Sequence, residues 1–242
     1  MPVISKTFWA IVLVLPMFAG ADSLPSFKDD AAAHQKRRAS SGSSMSKADM
    51  AIIQSATKDL NAALPAPGLK VGDTAPDFTL PAAGGETVRL STLLASGPVV
   101  LTFYRGAWCP YCSMQLQGLS RSKAAFEKYD AQIIAITPQT LDKSEAQQSE
   151  KALAFPLLSD LDNKVMKAYK VHFKMSSELD GLYQSKFGLD VSAFNGEGRL
   201  DLPVPGTFVV GRDGKIKAAF ADTDYKKRME PSEIVDALKA LR

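Results

Sequence analysis

Pro98-Val99-Val100-Leu101-Thr102-Phe103-Tyr104-Arg105-Gly106-Ala107-Trp108-Cys109-Pro110-Tyr111-Cys112 is the stretch from which the fold is read. Pro98 to Tyr104 is almost wholly apolar, which suits a strand buried on both faces. Arg105-Gly106-Ala107 makes a tight connection, and beyond it Leu116, Leu119, Phe126 and Tyr129 recur at helical spacing. Cys109 and Cys112 therefore open a helix at the end of a central strand. The first amides of a helix lack intrahelical partners, and together with the helix dipole they favour a thiolate over a thiol. Two cysteines separated by two residues at that place can close and reopen a small disulfide. The amino-terminal one, Cys109, reads as the exposed and more easily ionised nucleophile, with Cys112 resolving the mixed disulfide. A pair of inert buried cysteines is the plainer alternative.

Around this centre, strand and helix signals alternate from Lys70 to the end, the pattern of an α/β domain with a central sheet flanked by helices. Residues 77–80 and 87–90 read as a hairpin around Gly84-Gly85. Residues 133–136 and 155–158 read as strands, and 143–153 and 163–169 as helices. Residues 208–210 and 215–220 form a second hairpin, and Pro231 opens a last helix with Ile234, Val235, Leu238 and Leu241 on one face. An insertion over 171–201 reads as a helix covering an edge of the core, or as a substrate lid. Residues 222–228 mix charges and read as a solvated loop. Pro203-Val204-Pro205-Gly206-Thr207 reads as a rigid turn into a strand, with a cis proline as the other possibility.

Before the domain, residues 1–21 have the form of a secretory signal peptide: Lys6, an apolar run from Phe8 to Phe18, and Ala19-Gly20-Ala21. The apolar run is short for a membrane span, so no integral membrane segment is expected. The expected location is extracytoplasmic or secreted, or cytoplasmic if translation starts at Met45. Residues 22–45 are polar and small and read as a flexible linker. Residues 46–69 read as a helical arm, with Met50, Ile53, Leu60 and Leu64 at helical spacing.

The 242 residues are 45% apolar and 23% charged, with a net charge of +3, so there is no large single-sign field to suggest nucleic acid or an anionic membrane as partner. A metal site would need two ligands beyond the cysteines, and the only histidines are His34 and His172. No metal or cofactor is expected.

Val71-Gly72-Asp73-Thr74-Ala75-Pro76-Asp77-Phe78-Thr79-Leu80 resembles the opening of the peroxiredoxin family, in the branch of alkyl hydroperoxide reductase and the bacterioferritin-comigratory, or Q-type, enzymes. The likeness runs from about Lys70 to Leu241. The runs Phe103 to Cys112, Leu202 to Phe208 and Asp222-Thr223-Asp224-Tyr225 together resemble a peroxiredoxin-like subgroup with a Cys-Pro-Tyr-Cys motif.

The resemblance implies a thioredoxin-like fold. It also implies a thiol peroxidase acting on hydrogen peroxide and organic hydroperoxides, recycled by thioredoxin or another thiol reductant through a Cys109-Cys112 disulfide. Laid without gaps, the family pattern puts Arg105 at its proline, Cys109 at its threonine and Cys112 at its peroxidatic cysteine, so the choice of nucleophile is divided. Pro205 stands where Q-type enzymes carry an arginine and thioredoxins a cis proline. Arg105 then reads either as the replacement oxyanion donor, with Trp108 beside it, or as a solvated strand-end residue. Pro205 and Thr207 read as substrate groove. The alternative activity is a thioredoxin- or glutaredoxin-like thiol-disulfide oxidoreductase.

Overall fold

The computed structural model describes residues 24–40 and 45–242. The signal peptide expected over 1–21 lies outside them. Two helices come first, α1 (Phe27–Ser40) and α2 (Lys47–Ala63), followed by the hairpin β1 (Thr79–Pro81) and β2 (Thr87–Arg89) and the short α3 (Leu90–Ser96). The centre of the domain is β3 (Val99–Phe103), α4 (Pro110–Glu127), β4 (Gln132–Thr137), α5 (Leu141–Glu150), β5 (Leu157–Ser159) and α6 (Lys164–Ala168). The insertion contributes β6 (His172–Lys174), α7 (Ser177–Phe187), α8 (Ser192–Asn195) and β7 (Asp201–Pro203). The chain closes with β8 (Gly206–Val210), β9 (Ile216–Ala221) and α9 (Pro231–Lys239).

The central sheet has the order β5-β4-β3-β8-β9. Strands β3, β4 and β5 are parallel, while β8 runs antiparallel to β3 and β9 antiparallel to β8. This is a mixed sheet with β3 in the middle, as its unbroken apolar run requires. Successive side chains of β3 point to opposite faces. Val99, Leu101 and Phe103 pack with Tyr169 and Phe208 on one face, while Val100 and Tyr104 pack under α4 and α9 on the other. Thr102 shares the second face. There it comes within hydrogen-bond distance of Thr207 of β8, 3.1 Å between hydroxyls.

Of the flexible linker expected over 22–45, residues 27–40 form α1 instead, while 22–23 and 41–44 lie outside the described residues. Phe27 and Ala31 are buried, and the Glu230 carboxylate accepts hydrogen bonds from the backbone amides of Phe27 and Lys28, both at 2.9 Å. An acceptor supplied by the domain thus satisfies the open start of the helix, and two apolar side chains on one face suffice to dock it. Low mean hydropathy hides so narrow a stripe. The expected arm is α2, whose Ser46 and Asp49 form a capping box. It lies against α7, with Lys186 Nζ 2.9 Å from the Asp49 carboxylate.

A site at the start of the helix after the central strand

Cys109 is the N-cap of α4, and Cys112 lies in its first turn. Pro110 at the first helical position suits the fixed proline φ and leaves no amide there to satisfy. The preceding loop is held by Gln139, whose side-chain oxygen accepts from the Ala107 amide at 2.7 Å. Gly106 has φ +155°, and a Cβ there would come 2.4 Å from Trp108 Nε1. Only glycine lets the tryptophan fold back over this turn.

Both cysteines are free thiols in this structure, with Cys109 1% and Cys112 0% exposed. The exposure expected of Cys109 is therefore absent: it belongs to one buried cluster with Phe27 and Ala31 of α1, Tyr111 and Met229, against which Trp108 and Tyr225 pack. Arg228, expected in a solvated loop, is 4% exposed and donates from Nη2 to Cys112 Sγ at 3.4 Å. Its Nε donates to Gln115 Oε1 at 2.6 Å, and Gln115 Nε2 donates to Thr207 Oγ1 at 3.1 Å. One continuous polar chain thus runs from the sheet to the sulfur.

These contacts divide the two thiols. Burial opposes ionisation of Cys112, but the hydrogen bond from Cys109 and the charges of Arg228 and Arg105 outweigh it and pull its pKa down to about 5. Burial pushes the Cys109 thiol well above its ordinary value, and its hydrogen bond to Cys112 and the repulsion of that thiolate add to the effect. The electrostatics therefore run opposite to the expectation of Cys109 as the more easily ionised sulfur. Helix position treats the two alike, whereas Arg228 touches only one.

Arg105 is 5% exposed, which rules out its reading as a solvated residue. Its guanidinium lies 4.7 Å from the Trp108 ring centre and 4.8 Å from that of Tyr225, and Nη2 donates to the Tyr183 hydroxyl at 3.2 Å. Tyr183 comes from α7, so the insertion reaches the site. Pro205 lines a cavity together with Arg105, as a groove residue would. Thr207 does not: it is buried under Gln115, because on β8 it points to the α4 face. No cis peptide bond occurs among the described residues, so the peptide before Pro205 is trans.

Arg228, Gln115, Tyr183 and Tyr225 escaped sequence reasoning. The sequence held one signal for them, the resemblance of the Asp222 to Tyr225 run to the peroxiredoxin-like subgroup, which gave it no chemical role.

The AhpC/TSA family matches residues 71–219. A peroxiredoxin Bcp of Escherichia coli K12 is 31% identical over 125 residues, covering 50% of this chain and 80% of that protein. A putative peroxiredoxin of Mycobacterium tuberculosis H37Rv is 31% identical over 153 residues, covering 62% of this chain and 84% of the relative. Among solved structures, peroxidoxin BcpB of M. tuberculosis superposes with a TM-score of 0.57 at 26% identity, covering 72% of this chain and 99% of that one. Peroxiredoxin Q of Xanthomonas campestris shares the fold, with a TM-score of 0.53 at 20% identity over 71% of this chain and 96% of that one. With a mixed sheet that places its cysteines at the start of the helix after the central strand, and a family match over most of that domain, the chain belongs to the AhpC/TSA family of thioredoxin-fold peroxiredoxins.

Proposed function

We infer that the protein is a thiol-based peroxidase in which Cys112 attacks and Cys109 resolves. The observation that carries this reading is the buried Arg228 guanidinium, which donates to Cys112 Sγ at 3.4 Å and favours the thiolate there. The thiolate forms a bond to the terminal peroxide oxygen as the O–O bond breaks, and the leaving alkoxide or hydroxide takes up a proton. Cys112 is then a sulfenic acid. Arg105, held between two aromatic rings, donates toward the oxygen on which negative charge develops. The Cys109 thiol next attacks the sulfenic sulfur, a disulfide forms and water leaves. A dithiol reductant of the thioredoxin type returns the pair to its starting state with two electrons.

Hydrogen peroxide and alkyl hydroperoxides are the substrates this reading assigns. Support comes from the peroxiredoxin relatives and from the alkyl peroxide reduction described for the X. campestris bacterioferritin comigratory protein. Peroxide turnover with a thioredoxin system, beside insulin reduction, tests the reading in wild type, Cys109→Ser and Cys112→Ser. Cys109→Ser should accumulate a sulfenic acid on Cys112 that a 1,3-dione traps, and Cys112→Ser should give none. Peroxide consumption no faster than that of the double mutant would refute the activity, and label on Cys109 in the wild type would refute the assignment.

The reading extends to an extracytoplasmic location, supported by Lys6, the apolar run to Phe18 and Ala19-Gly20-Ala21. Intact mass of the protein from its native source should show an amino terminus near Asp22. A terminus at Met1 or Met45 would contradict it.

A further inference from the structure

A cavity of about 450 Å³ lies between α2, α7 and the Pro203–Pro205 turn. Its size is that of a small-molecule site. Ile53 and Leu60 of α2, Leu64 just beyond its end, Leu179 of α7, Phe173 and Val204 supply apolar walls. At one end stands Arg105, whose Nε is buried and has no hydrogen-bond partner. The Trp108 and Tyr225 rings lie 4.7 and 4.8 Å from the guanidinium carbon, and Tyr183 accepts from Nη2, which leaves Nε as the donor without a protein partner. Asp59 and Lys174, both exposed, oppose one another in charge at the rim.

The charges around the sulfurs change with redox state. Arg105 and Arg228 are both buried, and neither forms a salt bridge with a carboxylate among the described residues. In the reduced protein Arg228 donates to Cys112 Sγ at 3.4 Å, and the charge of Arg105 also favours the thiolate there. Forming the disulfide converts one thiolate and one thiol into an S–S bond, with two electrons passing to the peroxide and one proton released. Two buried cations then remain without that anion, a state of high electrostatic cost.

We propose that this cavity binds a monocarboxylate with a long apolar chain, its head on Arg105 and its chain between α2 and α7, and binds it more tightly when the cysteines are oxidised. This rests on the cysteine pair being redox-active and adds a ligand to that site. Small hydrated anions lose their water without apolar contacts in return, and neutral chains leave the guanidinium unpaired. Because linkage is reciprocal, the same carboxylate makes the disulfide harder to reduce and couples the enzyme's recycling to the supply of the amphiphile.

Calorimetric titration of the full chain with decanoate, decanol and acetate tests this, in dithiothreitol and after oxidation with diamide. Oxidant-driven disulfide formation keeps the test independent of peroxide turnover. Decanoate should bind the oxidised protein about tenfold or more tightly than the reduced one, and acetate and decanol should bind the oxidised protein far more weakly. Arg105→Gln should remove the redox preference. Leu179→Trp, which fills the cavity far from the sulfurs in sequence, should weaken decanoate in both redox states. Equal affinity in the two states, or decanol binding as tightly as decanoate, would overturn the proposal.

Discussion

Arg228 sits in a run of mixed charge, with Lys226 and Lys227 beside it exposed, yet it alone turns inward onto Gln115 and Cys112. A buried guanidinium stays charged and cannot be left unpaired cheaply, so it holds the thiolate form of whichever sulfur it touches. The reactive species is the deprotonated one. The second-order rate of Cys112 alkylation in Cys109→Ser should therefore be level at neutral pH and fall about tenfold per unit once the pH drops below the thiolate pKa. Arg228→Met should move that midpoint upward by at least about one unit, equivalent to about 1.4 kcal/mol of lost thiolate stabilisation. A midpoint in Cys109→Ser near the unperturbed thiol value of about 8.5 would contradict the Arg228 contact. Thr207 illustrates the opposite case: it is buried, and its hydroxyl accepts from Gln115, three hydrogen bonds from the sulfur by way of Gln115 and Arg228.

At the scale of elements, α1 and α7 turn an ordinary helix start into a closed site. Phe27 of α1 lies under the Arg228 guanidinium, 5.6 Å from its ring centre, and His34 meets Tyr111 edge-on at 5.3 Å. The first of these contacts falls on the half of the site that carries Cys112. Phe27→Ala should lower stability by up to about 3 kcal/mol, seen as a lower urea midpoint. A change below about 0.5 kcal/mol would mean that α1 is not docked in solution. Helix α7 covers the other half, through Tyr183 on Arg105 and an edge contact with Trp108 at 6.2 Å between ring centres. An insertion that reads as an edge cover therefore also shapes the approach to the cysteines. Its flanking strands β6 and β7, three residues each, are too short for any periodicity to reveal.

For the whole molecule, the domain beginning at Lys70 is wrapped by two helices that precede it. Thermal unfolding should fall in two steps as the chain is shortened, first when it begins at Met45 and loses α1, then when it begins at Lys70 and loses α2. Each lost kcal/mol should lower the midpoint by about 2–4 °C. A chain from Lys70 as stable as one from Leu24 would contradict the wrapping. The α/β core and the place of the cysteines within it are legible along the chain. Apolar runs, helical spacing and turn residues are local signals, and Val99 to Phe103 followed by Cys109-Pro110-Tyr111-Cys112 carries them in one short stretch. Contacts between distant parts of the chain put Arg228 on Cys112, pack residues 27–40 onto the domain and set Arg105 at the end of a cavity. Those outcomes depend on side chains brought together across 116 residues between Cys112 and Arg228, and 203 between Phe27 and Glu230. Burial and charge pairing act through space, and no spacing along the chain encodes them.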